Sequence, residues 1–418
     1  MNKISLNIKK IFFKNFFNLS LNQGTNILVA LISTPILFQN LGEDNFGIIN
    51  LCLSIISIMN IMVSYGYHLN GPKRVAIFKR ENKKISDLVN EIVSTRLLIS
   101  ILLVITIIIV SLLFDFFSGY RVVLFFSLIC LFREALLPDF YLQGMDNFFH
   151  VAVTNSLSKI IYLILILIFI NSPKDSYLVY FFFGISSIFV SLSYWTNIYL
   201  KRDLIWFRTN FFIVFKNLKE NFKFFLSSIA GHISLHGAIL LLANFVQNSE
   251  LGKFALAHRV AFLVRMIPTF FIQSILQKAS VLNISDSSSL KKTLNKYYIV
   301  GLLITLIVAF LFIIFSKYII YILSGEFILL SQQILNILGF IPFLAMLNFK
   351  NMINILVDEK QDVLYKSTWI SSIIMLITCA IGCFYNGSIG LAYSLLFSEF
   401  ISFIVHSLLL SKVNNGTK

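Results

Sequence analysis

Long apolar runs, repeated along the whole chain and interrupted only by short polar segments, decide what this sequence can become. Helical hydrocarbon crossings need about 20 consecutive apolar residues, and the runs here reach that length again and again. They are continuous rather than alternating in ten-residue segments, so the crossings are helices and not barrel strands. Of 418 residues, 57% are hydrophobic and 13% charged. A soluble domain carries about 25% charged residues, so a soluble enzyme, a disordered chain and a disulfide scaffold are all excluded. The run from Phe16 to Phe38 follows Lys3, Lys9, Lys10 and Lys14. It is too long for a signal-peptide core and lacks an A-x-A-like end, so it is expected to stay as the first crossing.

Polar breaks divide the chain into twelve expected transmembrane helices, at about 16–39, 46–67, 93–114, 120–141, 148–170, 177–198, 223–246, 253–277, 296–316, 329–349, 364–385 and 389–411. The 34 Lys and Arg test that plan: with the N-terminus inside, 25 fall in inner segments, four in outer loops and five within helices. Such a bias expects both termini in the cytoplasm, and it accounts for the net charge of +15 without nucleic acid. Cys52, Cys130, Cys379 and Cys383 all lie in apolar runs and read as core residues.

Six helices precede and six follow the longest inner segment. The expected organisation is an N-terminal lobe over 1–198, a cytoplasmic amphipathic linker over 199–222 and a C-terminal lobe over 223–418. In the linker Leu204, Phe207, Phe211, Val214 and Leu218 recur at helical spacing, with Arg208, Lys216 and Lys219 on other faces. A weak repeat relates the lobes. Asp44-Asn45-Phe46-Gly47 opens helix 2 and Ser249-Glu250-Leu251-Gly252 opens helix 8, with Lys73 and Lys278 near the inner ends. Six helices return a chain to its starting side, so the repeats are parallel, with a pseudo-two-fold axis along the membrane normal and a central cavity between the lobes.

Ionisable groups at mid-helix cost about 2.5–3.5 kcal/mol each and need a partner, water or a function. These are Arg133, Glu134, Lys159, Arg259, Arg265 and Glu399, with His232 and His236 one helical turn apart. Arg96 lies nearer the inner end and is expected to snorkel. Lys159 sits roughly 16 Å from the start of its helix and Arg265 roughly 18 Å, too far to reach an interface easily. Local pairing of Arg133 with Glu134, or of Arg259 or Arg265 with Glu399, is one reading. Yet five bases (counting Arg96) against two acids leave a surplus that favours an anionic substrate. Glu134, Glu399, His232 and His236 are candidates for coupling to H+ or Na+. No phosphate-binding G-x-x-x-x-G-K-[ST] loop, metal-spaced His/Cys cluster or nucleophile elbow occurs, so no cofactor is expected.

Asn15-Phe16-Phe17-Asn18-Leu19-Ser20-Leu21-Asn22-Gln23, Thr34-Pro35 and Leu41-Gly42-Glu43-Asp44-Asn45-Phe46-Gly47 resemble the start of the O-antigen (Wzx-type) lipid-linked oligosaccharide flippases. These form a polysaccharide transporter family within the superfamily of multidrug and toxin exporters and the peptidoglycan precursor flippase. Gly66 with Lys73-Arg74-Val75-Ala76, and Pro138 with Tyr141-Leu142-Gln143-Gly144-Met145, extend the likeness. So does Leu251-Gly252-Lys253-Phe254-Ala255-Leu256-Ala257-His258-Arg259. The family often has an acid where Ser64 stands and a proline near Ala279.

The resemblance implies a flippase, not an enzyme. It would move undecaprenyl-pyrophosphate-linked O-antigen or other surface-polysaccharide repeat units from the cytoplasmic to the periplasmic leaflet of the bacterial inner membrane, by alternating access. Arg74 would capture the pyrophosphate, and Arg133, Lys159, Arg259 and Arg265 would line its path. A polysaccharide polymerase and a chain-length regulator would be partners. Two alternatives remain: a cation-coupled multidrug antiporter of the same superfamily, for which an acidic cavity is expected, and a membrane-embedded polymerase, for which a large outer loop is expected.

Overall fold

The computed structural model describes residues 2–81, 83–200, 204–205, 211–285 and 287–416. Among the described residues every regular element is a helix: α1 (Asn2–Ser64), α2 (Tyr67–Arg80), α3 (Ile85–Leu113), α4 (Arg121–Ser127), α5 (Ile129–Leu136), α6 (Asp139–Gly144), α7 (Phe148–Phe169) and α8 (Leu178–Leu200) come first. There follow α9 (Phe211–Leu242), α10 (Asn248–Val264), α11 (Ile267–Ser285), α12 (Ser287–Ser324), α13 (Leu329–Leu338), α14 (Ile341–Leu347), α15 (Phe349–Val357) and α16 (Gln361–Gly416). Eight described helices are long and apolar enough to cross a membrane, or nine if Phe224–Ile233 and Leu235–Leu242, bent by 50°, form one span.

The element boundaries differ from the expected spans, and backbone chemistry explains where. α1 runs through the first two expected spans, but Gly42 within it is non-helical at φ 74 and ψ 172. α16 likewise holds the last two, with Asn386 and Gly387 non-helical inside it. Three other spans are broken near prolines. Leu137, before Pro138, is extended (ψ 125), the conformation proline favours in its predecessor, and this parts α5 from α6; a further break at Leu128 makes the expected helix 4 three pieces. Pro268 opens α11 and Pro342 opens α14, where the missing proline N–H costs no helical bond. The expected inner loop 68–92 is mostly helix, with α2 resuming after Tyr65 and Gly66, both at positive φ. In the expected linker, Lys201, Arg202, Phe207 and Arg208 lie outside the described residues.

Burial is arranged for a lipid solvent. On α3, Leu102, Ile105, Ile109 and Leu112 are exposed, while Thr95, Arg96, Ser100 and Ser111 are buried. On α12, Leu303, Ile307, Phe310 and Ile314 are exposed, and Thr305 and Ser316 are buried. On α16, Ile373, Ile377, Ile381 and Phe384 repeat the pattern over buried Ser372 and Cys379. Apolar stripes at three- and four-residue steps would be costly in water but match acyl chains, while the small polar residues let helices approach. The chain is an all-helical, multi-pass membrane protein.

Two compact units emerge. The first comprises Met1–Gly42 and Cys52–Ile229, the second Glu43–Leu51 and Ala230–Lys418. In the first, α8 packs on α7 and α5, α2 on α6, and α3 on α5. One of its apolar clusters joins Tyr67, Ile92, Phe140, Leu142 and Trp195. In the second, α10 packs on α13, α11 on α12 and α15, and α16 on α13, α14 and α15, with Ile275, Met346, Phe349 and Ile353 at one core. Glu43–Leu51 joins the second unit through backbone contact. A Cβ on Gly47 would strike the Asn248 carbonyl, and one on Gly252 would strike that of Glu43. Glu43 also pairs with Lys253 at 3.0 Å and accepts from the Ser249 hydroxyl at 2.8 Å.

Candidate functional site

Inside the first unit, four helices converge on a charged cluster. α5 carries Arg133 and Glu134 on adjacent faces, α3 brings Arg96, α7 brings Lys159, and the first turn of α6, fixed by Pro138, brings Asp139. Arg133 Nε donates to the Ser187 hydroxyl at 3.0 Å, and its guanidinium lies 4.5 Å from the Phe183 ring centroid. Glu134 accepts an ion pair from each side, Arg96 at 3.5 Å and Arg133 at 4.0 Å.

Arg96 departs from expectation. It does not snorkel; it is only 3% exposed. It donates to the Ser64 hydroxyl at 3.5 Å and the Leu137 carbonyl at 3.4 Å, and it lies over Phe140. Leu137, extended before Pro138, ends α5, and its carbonyl, left outside the helix, becomes one of Arg96's acceptors. Ser64, where the family often has an acid, therefore faces a guanidinium already paired with Glu134.

Lys159 donates to the side-chain carbonyl of Asn26 on α1. Asp139 accepts from Asn155 Nδ2 at 3.1 and 3.4 Å, and Arg133, Arg96 and Lys159 all lie within electrostatic reach of it. Asn155 and Lys159 are four residues apart, hence on one face of α7. Counting Asp139, five deep bases face three deep acids among the described residues, a smaller surplus than five against two. Arg74 lies apart from this cluster on α2. It reaches Glu91 at 3.8 Å and Asn217 at 3.5 Å, beside an Asn70–Asn221 hydrogen bond of 2.9 Å.

The second unit holds a hollow of about 240 Å3, lined in part by Gly231, Thr368, Ser371, Ser398, Glu399 and His406. Arg265 also lines it, at the end of α10 where Pro268 interrupts the span. Arg265 Nε and Glu399 Oε1 are 2.5 Å apart, so of the two partners considered for Glu399 it is Arg265 that takes it. His406, not singled out in the sequence, donates through Nδ1 to the Ser402 carbonyl at 2.7 Å. His232 and His236 stack at 6.1 Å, and His258 lies between Phe254 and Phe262, within electrostatic reach of His236 and Arg265. Arg259 has its Nη1 buried without a hydrogen-bond partner among the described residues. All four cysteines are buried free thiols, and no group of three or more His, Cys, Asp or Glu among the described residues could hold a metal.

Chemically, the first unit's cluster presents guanidinium and ammonium groups, amide and hydroxyl side chains and an aromatic face, groups that can replace water around an anion, whereas in the second unit Arg265 is closed on Glu399. Among the described residues Ser64 shares a hydrogen bond of 3.2 Å with His68 in the first unit, and Ser402 one of 3.4 Å with His406 in the second.

Comparison with known proteins gives the chain a family and a fold. Residues 12–281 match the family described as "Polysaccharide biosynthesis protein". A Shigella dysenteriae protein named "Putative O-antigen transporter" is 24% identical over 398 residues, covering 92% of this chain and 96% of its own length. One from Escherichia coli strain K12 with the same name is 21% identical over 304 residues, 72% of each chain. Among solved structures, the lipid II flippase MurJ in an inward closed conformation superposes with a TM-score of 0.73 at 16% identity, covering 96% of this chain and 87% of that one. The likeness shows a shared fold.

Proposed function

The chain belongs to the polysaccharide biosynthesis protein family, and from that premise we propose that it is a flippase for pyrophosphate-linked oligosaccharide lipids. The proposed substrate is an undecaprenyl-pyrophosphate oligosaccharide, carried by alternating access from the cytoplasmic to the periplasmic leaflet of the bacterial inner membrane. The observation that carries this reading is the first unit's buried cluster, in which Arg96, Arg133 and Lys159 outnumber Glu134 and Asp139. A sugar pyrophosphate loses its hydrogen bonds to water on entering hydrocarbon. Arg133 and Lys159 hold their charge through neutral Ser187 and Asn26, acceptors that phosphate oxygens can replace. Arg74 serves for initial capture, and Arg259 and Arg265 complete the path. The acids and histidines named from sequence, Glu134, Glu399, His232 and His236, remain candidates for coupling to H+ or Na+. A polymerase and a chain-length regulator would act on the product.

The same reading includes twelve crossings with both termini cytoplasmic, and lobes 1–198 and 223–418 joined by 199–222. Support comes from the interruptions at Gly42 and at Asn386–Gly387, each inside a helix too long for one bilayer. The pieces α4 to α6 and the bent part of α9 supply the remaining two crossings.

Deletion of the gene should accumulate single lipid-linked repeat units on the cytoplasmic face, and Lys159→Ala should fail to restore export while still reaching the membrane. Accumulation of short units on the outer face would instead support a polymerase.

A further inference from the structure

The three deep carboxylates are not equivalent. Glu134 is bracketed by Arg96 and Arg133, and Glu399 is closed on Arg265. Asp139 has no ion pair within 4.0 Å among the described residues; both its oxygens accept from the neutral amide of Asn155. The cations around it are each held elsewhere: Arg133 by Ser187, Glu134 and Phe183, Arg96 by Glu134, Ser64 and the Leu137 carbonyl, and Lys159 by Asn26. From α2, the Tyr67 phenol comes within electrostatic reach of Arg96. On α7 the other titratable groups are His150, exposed and bonded to Asn147, and the buried Tyr162, whose ring meets Phe183 edge-on at 5.2 Å.

We propose that Asp139 takes up one proton when the pyrophosphate headgroup binds the Arg133–Lys159 cluster, so that proton and substrate occupy the first unit together; this rests on the flippase reading. The charge balance argues for it. The cluster with Asp139 ionised holds three cations and two carboxylates, one positive charge in all. A pyrophosphate diester carries two negative charges, which would leave the filled site at one negative. One proton on Asp139 restores neutrality, and neutral sites are strongly favoured where the dielectric is low. Glu134 cannot take that proton without stranding Arg96, which is buried and has it as an ion-pair partner. Asp139 can: its neutral acid still accepts from Asn155 and frees an O–H to donate to a phosphate oxygen. A sodium ion fits the place poorly, since hard cations need several oxygen ligands and here an N–H donor and three cations face the carboxylate. The step is a simple protonation, carboxylate plus H+ giving the acid, with no other reactant.

The test is calorimetry of the purified full-length protein in nanodiscs with farnesyl-pyrophosphoryl-N-acetylglucosamine, run in buffers of different ionisation enthalpy. Wild type should take up about one proton per ligand, with affinity rising by up to about tenfold per unit fall in pH. Asp139→Asn should bind with no proton uptake and a flat pH profile, whereas Asp115→Asn, at an exposed carboxylate just after α3, should keep the wild-type count. If Asp139→Asn is not recovered folded, Asp139→Glu should retain the uptake with a displaced pH midpoint. Wild-type binding without uptake, uptake persisting in Asp139→Asn, uptake lost in Asp115→Asn, or an undisplaced midpoint in Asp139→Glu overturns the assignment while leaving the flippase reading intact. No binding of the probe to wild type overturns both.

Discussion

The first unit distributes its deep charges over a network, whereas the second closes one pair against a hollow. Arg133, Lys159 and Asp139 each lean on a neutral side chain, Ser187, Asn26 or Asn155, and only Glu134 is tied to cations directly. In the second unit Arg265 and Glu399 meet at 2.5 Å, and Arg265 stays about a third exposed, at 35%. A network of neutral supports keeps charge available to an incoming anion, because replacing a neutral acceptor strands no opposite charge. A closed pair must be broken first, and its partner must find water or ligand. On the flippase reading proposed above, the first unit would receive the anion and the second would change state.

The largest effect that could break the contrast lies at Glu134. Glu134→Ala leaves Arg96 buried without its counter-ion, and should cost about 3–5 kcal/mol, read as a sharp loss of thermal stability and membrane yield. A mild effect would mean that the Ser64 hydroxyl and the Leu137 carbonyl suffice for Arg96. Next comes a double-mutant cycle on Arg265→Ala and Glu399→Ala. It should give a coupling of only about 1–2 kcal/mol in thermal unfolding, because one partner borders the hollow, while export fails in both single variants. A larger coupling with normal export would make the pair structural. The smallest effect is expected at Ser187→Ala, about 0.5–1.5 kcal/mol from one lost hydrogen bond to Arg133, with export reduced rather than abolished.

Much of this was legible in the amino-acid order, for identifiable reasons. Apolar runs announce crossings because hydrocarbon tolerates little else, and Arg133, Glu134, Lys159 and Arg265 stand out there by charge alone. Asp139 escaped because it follows Pro138 at the expected inner end of helix 4, where an acid looks like an interfacial residue; the proline bend instead sets it beside Asn155. Asn26 and Asn155 are uncharged, so nothing but contact reveals that they hold Lys159 and Asp139. Arg96 was misjudged because distance to an interface was weighed without the Glu134 that waits on another helix. The break at Arg265 was within reach, since Pro268 lies three residues on. His406 resembles any buried histidine until its place beside the hollow is seen.

The seating of Glu43–Leu51 among residues some two hundred positions downstream bears on how such a gene can be cut or recombined. A fragment beginning at Ala230 would lack the carboxylate that neutralises Lys253 and the glycine whose bare backbone fills the space above Gly252. The chain is therefore not a tandem of self-sufficient cassettes. Splitting it into separately expressed halves, or exchanging one half with a relative's, has to carry those nine residues along with their distant partner.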